Sequence, residues 1–312
     1  MFSPSPMTDS RRPTPADFVR LARPTQWAKS VFVLIGPFYA LADHGMALAD
    51  SFWKALLAAI AFSLVSSASY IFNDIQDAEA DRAHPRKKNR PIASGRLSVR
   101  AGVVFAIGLL AAAAAAVLAL PPGDPRMWLA VILAVYLANV TLYSMTLKHH
   151  VIADVMSLSL GFVLRVFAGC VALDIAPSTW LLNCTLFLAM FLAFGKRLGE
   201  RRTLGEGARA ARRVQSAYTD ELLRMAVVVT GVATLIGYTI YVESQDAYEF
   251  GFNLLWLTVL PATYVLLRVA VVIEQGRYDD PTELAVHDRG FQAGALLFGV
   301  MTAFLVWYFR LR

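Results

Sequence analysis

Charge is scarce in this sequence. Of its 312 residues only 17% are Asp, Glu, Lys or Arg, while 57% are hydrophobic; a soluble domain of this size carries about a quarter charged residues. Cysteine is nearly absent. Two residues, Cys170 and Cys184, cannot build a disulfide framework and lack metal-ligand spacing, which leaves them a packing role. No short-period repeat is visible, nor any stretch with the composition of a soluble domain. The first 16 residues are rich in Ser and Pro and lack the apolar core and small-residue cleavage site of a signal peptide. Residues 1–16 are therefore expected to be a disordered arm, and 17–312 a single transmembrane domain. The net charge of +6 follows from a loop bias described next, so it implies no nucleic-acid partner.

What the chain has instead is long apolar runs. Nine blocks approach the ~20 residues needed to cross roughly 30 Å of hydrocarbon. They lie near 28–47, 52–72, 101–121, 127–147, 150–172, 178–195, 223–243, 251–273 and 290–309. The first is the weakest, interrupted by Gly36, Pro37 and Asp43. The expected fold class is an all-α integral membrane protein, a bundle of nine transmembrane helices. Cytoplasmic loops carry the excess of Lys and Arg. Alternate connections here hold twenty-three such residues on one side and four on the other. The N-terminus is thus expected in the cytoplasm and the C-terminus outside, in a multi-pass protein of the inner (plasma) membrane. The longest connection, about 196–222, is rich in Ala, Arg, Glu and Gln and reads as an amphipathic segment at the membrane surface.

Polar chemistry concentrates in one place, "NDIQDAEADRAHPRKKNRPIASG", Asn73 to Gly95. If the second span continues as a helix, each residue advances about 100°. Asp77 then lies about 40°, Asp81 about 80° and Asp74 about 100° from Asn73, whereas Glu79, at about 240°, points away. Three carboxylates on one stripe repel one another and stay ionised only beside a cation. Hard oxygen donors suit Mg²⁺, which also takes phosphate oxygens. The plainer alternative is a solvated helix end neutralised by the bases that follow. Against it, unpaired carboxylates at the membrane end of a span are costly and usually functional. Next come Arg86, Lys87, Lys88 and Arg90, and acid–metal beside base is the layout that holds a diphosphate. Arg86 to Lys88 read more simply as positive-inside charge. Arg90, fixed beside Pro91, is the better ligand candidate.

"NDIQDAEAD" resembles the NDxxDxxxD motif of the UbiA superfamily of intramembrane prenyltransferases. The resemblance implies nine transmembrane helices around a cavity open to cytoplasm and bilayer. It also implies a Mg²⁺–diphosphate site at Asn73, Asp74, Asp77 and Asp81, with the three aspartates catalytic. Where the superfamily places a second Asp-rich motif, at the end of the sixth span, this chain reads "FGKRLGERR". Lys196 and Arg197 stand there with one acid, Glu200. A site that replaces carboxylates with bases is built to attract anions directly. Together with "RPTQWAKS", "YSMTLKHHVIADV", "GFVLRVFAG", "FLAFGKR" and "DDPTELAVHDR", the chain is similar from Arg23 to Arg289 to the decaprenyl-phosphate phosphoribosyltransferase branch. That resemblance implies transfer of 5-phosphoribose from phosphoribosyl pyrophosphate to a polyprenyl phosphate, with release of pyrophosphate, feeding cell-envelope glycan precursors.

Both implied substrates are polyanions, so bases should exceed acids at the site. The expected substrate-binding residues are Asn73, Arg90, Tyr143, Lys148, Asp154, Lys196, Arg197, Arg23, Gln26 and Lys29. Either Arg23, Gln26 and Lys29 hold the lipid phosphate, or Trp27 and Lys29 merely anchor the first span. The acceptor phosphate is already anionic, so no strong base is required, consistent with histidines (His84, His149, His150, His287) that are poor catalytic candidates. Asp154, Ser157, Gly161 and Arg165 form a polar stripe on the fifth span. Arg165, about 16 Å beyond Asp154, is expected to be a structural ion-pair partner rather than a ligand. Two other readings remain. One is an ordinary prenyltransferase using a prenyl diphosphate and an aromatic or lipid acceptor; the basic end of the sixth span speaks against it. The other is a transporter or lipid flippase, which has no need of a three-carboxylate stripe beside a basic loop. Homo-oligomerisation stays open.

Overall fold

The computed structural model of the chain describes residues 13–43, 48–83, 87–204, 218–245, 247–249, 251–277 and 281–310. Residues 1–12 of the expected arm, His84 to Arg86, and 205–217 of the expected surface segment lie outside them. A short helix, α1 (Pro15–Ala22), begins with Pro in its first turn. The Thr14 N–H and hydroxyl both donate to Oδ2 of Asp17, at 3.1 and 2.7 Å, so the Asp17 carboxylate satisfies the N–H at the helix cap. Arg23 then takes a left-handed conformation (φ 52°). A 3₁₀ helix, Pro24–Ser30, follows and runs into α2 (Val31–Asp43).

The remaining helices are α3 (Leu48–Gln76), α4 (Ala78–Ala83), α5 (Val99–Leu118), α6 (Asp124–Met145), α7 (Ala153–Ala172) and α8 (Thr179–Leu204). After them come α9 (Asp220–Glu243), α10 (Val259–Glu274), α11 (Pro281–His287) and α12 (Arg289–Arg310). A two-residue hairpin, β1 (Tyr248–Glu249) with β2 (Phe252–Asn253), precedes α10, and nothing in the apolar pattern announced it. Among the described residues eight helices are long and apolar enough to cross a membrane. The expected ninth corresponds to α2, whose 13 residues span only about 20 Å.

α2 runs unbroken through Gly36, and its packing shows why a glycine stands there. A Cβ at Gly36 would stand 2.1 Å from Sγ of Cys170, and one at Gly169 only 1.7 Å from the carbonyl oxygen of Val33. In lipid no hydrophobic force drives helices together, so small residues that let backbones approach carry the association. Gly36 and Gly169 do this between α2 and α7. Elsewhere α8 lies along α9, α3 along α5, and α6 and α8 flank α7. One buried cluster (Phe62, Leu129, Tyr136, Leu164) unites α3, α6 and α7. A second (Phe191, Leu223, Val272) unites α8, α9 and α10. Outward faces stay apolar, with Val104, Ile107, Val228 and Leu296 exposed, as a lipid-facing surface requires.

Two helices outrun their apolar blocks. α3 reaches Gln76 and α8 reaches Leu204, beyond the predicted limits at 72 and 195. An apolar run ends where hydrocarbon ends, whereas backbone hydrogen bonding continues into the aqueous edge. These overhangs carry the charged motifs.

Candidate active site

The acidic stripe forms as the helical spacing implies. Asp77 is a single turn residue between α3 and α4, yet its N–H bonds to Asn73 O at 2.9 Å and its carbonyl accepts Asp81 N–H at 2.8 Å. The helical register therefore survives the break. Asp74 and Asp81 are buried, Asp77 is half-buried, and Glu79 is exposed. Asn73 Oδ1 accepts the hydroxyl of Ser144, near the end of α6, which ties the stripe to the neighbouring helix.

The cations that meet these carboxylates belong to the protein. Arg90 Nη1 bridges Asp74 Oδ1 at 3.1 Å and Asp81 Oδ2 at 2.5 Å. Arg23, which stacks over the Tyr70 ring, also pairs with Asp74. Lys148, from the turn after α6, pairs with Asp77 at 2.8 Å, and Lys87 stands 3.9 Å from Asp81. For Lys87 and Arg90 this is the pairing that the plainer alternative, a helix end neutralised by the bases that follow, implies. The oxygen donors suit Mg²⁺ chemically, but among the described residues no three acidic, imidazole or thiol side chains gather at a metal-binding point. The guanidinium of Arg90 takes the position between Asp74 and Asp81. Gln26 is half-buried and Lys29 exposed, at successive turns of the 3₁₀ helix. Trp27 donates to Ser67 on α3 at 2.9 Å, so the anchoring of this segment to the bundle is real.

A second buried network joins the start of α7 to the end of α8. Arg197 pairs through Nε (3.1 Å) and Nη2 with Oδ2 of Asp154. Oδ1 of Asp154 accepts the Tyr218 hydroxyl at 2.8 Å and the N–H of Val155 at 2.7 Å. Asp154 is 2% exposed and holds Arg197, a partner the sequence did not assign to it. Burial pushes the Tyr218 phenol up to about 12, so at neutral pH it keeps its proton. Ile152, just before α7, has φ 68° and ψ −48°, and Ala153 N–H bonds to Val151 O at 2.8 Å. This is a γ-turn of the rare positive-φ kind, costing about 1–3 kcal/mol for a β-branched residue. Tyr143 precedes Ser144 on α6 and is half-buried. Lys196 is half-buried beside Arg197 on α8.

Arg165 departs from expectation. It is 4% exposed, and among the described residues it pairs with no carboxylate. It donates instead to Gly161 O (2.7 Å), Ser66 Oγ (3.0 Å) and the Tyr136 hydroxyl (3.0 Å). The rings of Phe62, Tyr136 and Phe162 lie 4.8, 4.9 and 5.5 Å from its guanidinium carbon. Quadrupoles of aromatic faces and neutral acceptors replace the counter-ion, a substitution that no pattern on α7 alone reveals. The other intramembrane arginine, Arg268, does pair, through Nε and Nη2 with Asp288 at 3.0 and 2.8 Å. Tyr218, Arg201 and Ser144 escaped the sequence reading, because their roles depend on contacts 19 to 71 residues away.

A model of the UbiA prenyltransferase family matches residues 30–292. The chain is 33% identical over 288 residues to the decaprenyl-phosphate phosphoribosyltransferase of Mycobacterium tuberculosis, covering 90% of this chain and 91% of that protein. It is 32% identical to the protein of the same name from Corynebacterium glutamicum, covering 89% and 83%. A solved structure of a UbiA homolog from Archaeoglobus fulgidus bound to DMAPP and Mg²⁺ matches with a TM-score of 0.65, covering 94% of this chain and 97% of that one. At 18% identity that likeness shows the fold alone.

Proposed function

Since the chain belongs to the UbiA prenyltransferase family, we propose that it is a membrane transferase moving 5-phosphoribose from phosphoribosyl pyrophosphate to a polyprenyl phosphate. The observation that carries this reading is the similarity, 33% and 32% identical over about nine-tenths of this chain, to two decaprenyl-phosphate phosphoribosyltransferases. The bases at the end of α8 support it, since a donor with a diphosphate and a 5-phosphate needs more cationic contacts than a prenyl diphosphate. The positive-inside bias puts this end of the bundle at the cytoplasmic face.

Arg90, Arg23 and Lys148 neutralise the stripe and offer N–H donors to phosphate oxygens entering beside it. With Arg90 turned from its bridge between Asp74 and Asp81 toward a donor phosphate, Asn73, Asp74, Asp77 and Asp81 would hold Mg²⁺, which would supply charge stabilisation for the departing pyrophosphate. Lys196 and Arg197 hold the remaining donor phosphates. The ribose C1–O bond to pyrophosphate breaks as an acceptor phosphate oxygen forms the new C1–O bond, and pyrophosphate leaves. An acceptor already anionic at neutral pH gives up no proton, so no residue need act as a strong base.

The test is an assay of purified protein with labelled phosphoribosyl pyrophosphate and polyprenyl phosphates of several lengths. A parallel arm offers geranyl diphosphate with an aromatic acid. Prenyl transfer without phosphoribosyl transfer would overturn the reading in favour of a conventional prenyltransferase. Transfer of neither group by folded protein would point to a carrier.

A further inference from the structure

Tyr218 heads the fully buried side chains of the described residues by size, at 1% exposure. Its hydroxyl accepts the N–H of Ile152 at 2.7 Å and donates to Oδ1 of Asp154 at 2.8 Å. A phenol has one hydrogen, and an amide N–H can only donate, so the direction of both bonds is fixed. One oxygen thus holds the γ-turn at Ile152 and the carboxylate two residues later. Backbone in such a conformation persists only where its surroundings over-determine it, and such places gather at functional sites. The Tyr218 main chain is itself tied down. Its carbonyl accepts Arg201 Nη1 at 2.6 Å, and Arg201 Nε pairs with Asp220 at 2.6 Å.

The consequence falls on Arg197. Asp154 Oδ2 takes its Nε and Nη2, while Nη1 makes no hydrogen bond among the described residues. The guanidinium also lies over the Tyr218 ring, 6.0 Å from its centroid. One edge is therefore set by Asp154 and one face by the Tyr218 ring, and Nη1 is left to donate. We propose that Tyr218 is a positioning residue for diphosphate binding, fixing Asp154 so that Arg197 presents Nη1 to a donor phosphate oxygen. This rests on the reading of the site as a diphosphate site given above. Tyr218 touches no reacting atom; it acts through Arg197.

The experiment is a double-mutant cycle on the full chain in detergent, with Mg²⁺ present. Pyrophosphate affinity is measured by calorimetry, and KM and kcat with phosphoribosyl pyrophosphate. Tyr218→Phe removes one oxygen and should weaken pyrophosphate binding and raise KM about tenfold, the equivalent of about 1.4 kcal/mol, with kcat little changed. Arg197→Ala should weaken binding at least as much. Adding Tyr218→Phe to Arg197→Ala should then change affinity no further. Effects that multiply in the double variant would overturn the proposal, because Tyr218 would act independently of Arg197. A Tyr218→Phe protein with lowered melting temperature but wild-type KM would overturn it too, reducing Tyr218 to packing. If wild-type protein transfers prenyl groups and not phosphoribose, the donor reading fails by itself. The same cycle run with geranyl diphosphate then decides the role of Tyr218.

Discussion

Asp81→Asn separates a functional stripe from a merely charged helix end. Asp81 is 3% exposed and accepts Arg90 Nη1 at 2.5 Å, with Lys87 at 3.9 Å. The substitution keeps the shape and removes one charge. A charge-assisted bond of this kind contributes about 1.5–3 kcal/mol, and the amide oxygen still accepts a neutral bond worth about 1 kcal/mol. The net loss of stability is then about 0.5–2 kcal/mol, and Arg90 keeps its contact to Asp74 at 3.1 Å. Folding should survive. Turnover should not: losing one of three stripe carboxylates is expected to cost at least about 100-fold, or about 2.7 kcal/mol of transition-state stabilisation. Glu79, two residues earlier and exposed, serves as the internal control, and Glu79→Gln should be nearly neutral. The assay is phosphoribosyl transfer from labelled donor, normalised to monodisperse protein. Equal damage from both variants would refute the helical-face reasoning, and wild-type turnover by Asp81→Asn would refute the role of the stripe.

Three further outcomes follow from the packing. Arg165→Met should shift the melting temperature by only a few degrees, because Ser66 and Tyr136 keep their mutual hydrogen bond at 2.9 Å and no carboxylate is left unpaired; a collapse of folding would show that the aromatic cage requires the cation. Gly169→Ala should destabilise severely, by about 3 kcal/mol or more, since the added carbon meets the Val33 carbonyl at 1.7 Å; yield and thermal stability in detergent report it. The hydrogen bond from Arg268 holds the Asp288 carboxyl down at about 2, from 3.8. A depressed carboxylate stabilises the fold above its unfolded pKa and loses that contribution as pH falls through its folded pKa. Melting temperature should therefore fall between about pH 4 and pH 2 more steeply in wild-type protein than in Asp288→Asn, and parallel curves would contradict the pairing.

The long spans were legible because the bilayer imposes a length and an apolar composition on every crossing helix. Eight of nine expected blocks became long apolar helices. The ninth, interrupted at Gly36 and Pro37, became the 13-residue α2, and the need for a glycine at Gly36 lies in its contact with Cys170 of α7. The acidic stripe was legible too, since Asn73, Asp74, Asp77 and Asp81 are neighbours on a helix and local periodicity sets which way each one faces. Glu79 turned outward on the same arithmetic.

Pairing was beyond that arithmetic. Asp154 and Arg197 stand 43 residues apart, and each was visible as a polar residue at a span end, yet nothing local says that one holds the other. Tyr218 carried no signal in its charged connection; the fold alone sets it between Ile152 and Asp154. Arg165 looked like half of an ion pair because a lone charge in a span is costly, but three aromatic rings from α3, α6 and α7 surround it instead. The sequence by itself determined the membrane class, the helical spans and the face of the acidic stripe, all consequences of solvent and of a 3.6-residue period. Tertiary structure alone decided which cation meets which carboxylate, because charge partners are chosen by distance after the helices have packed.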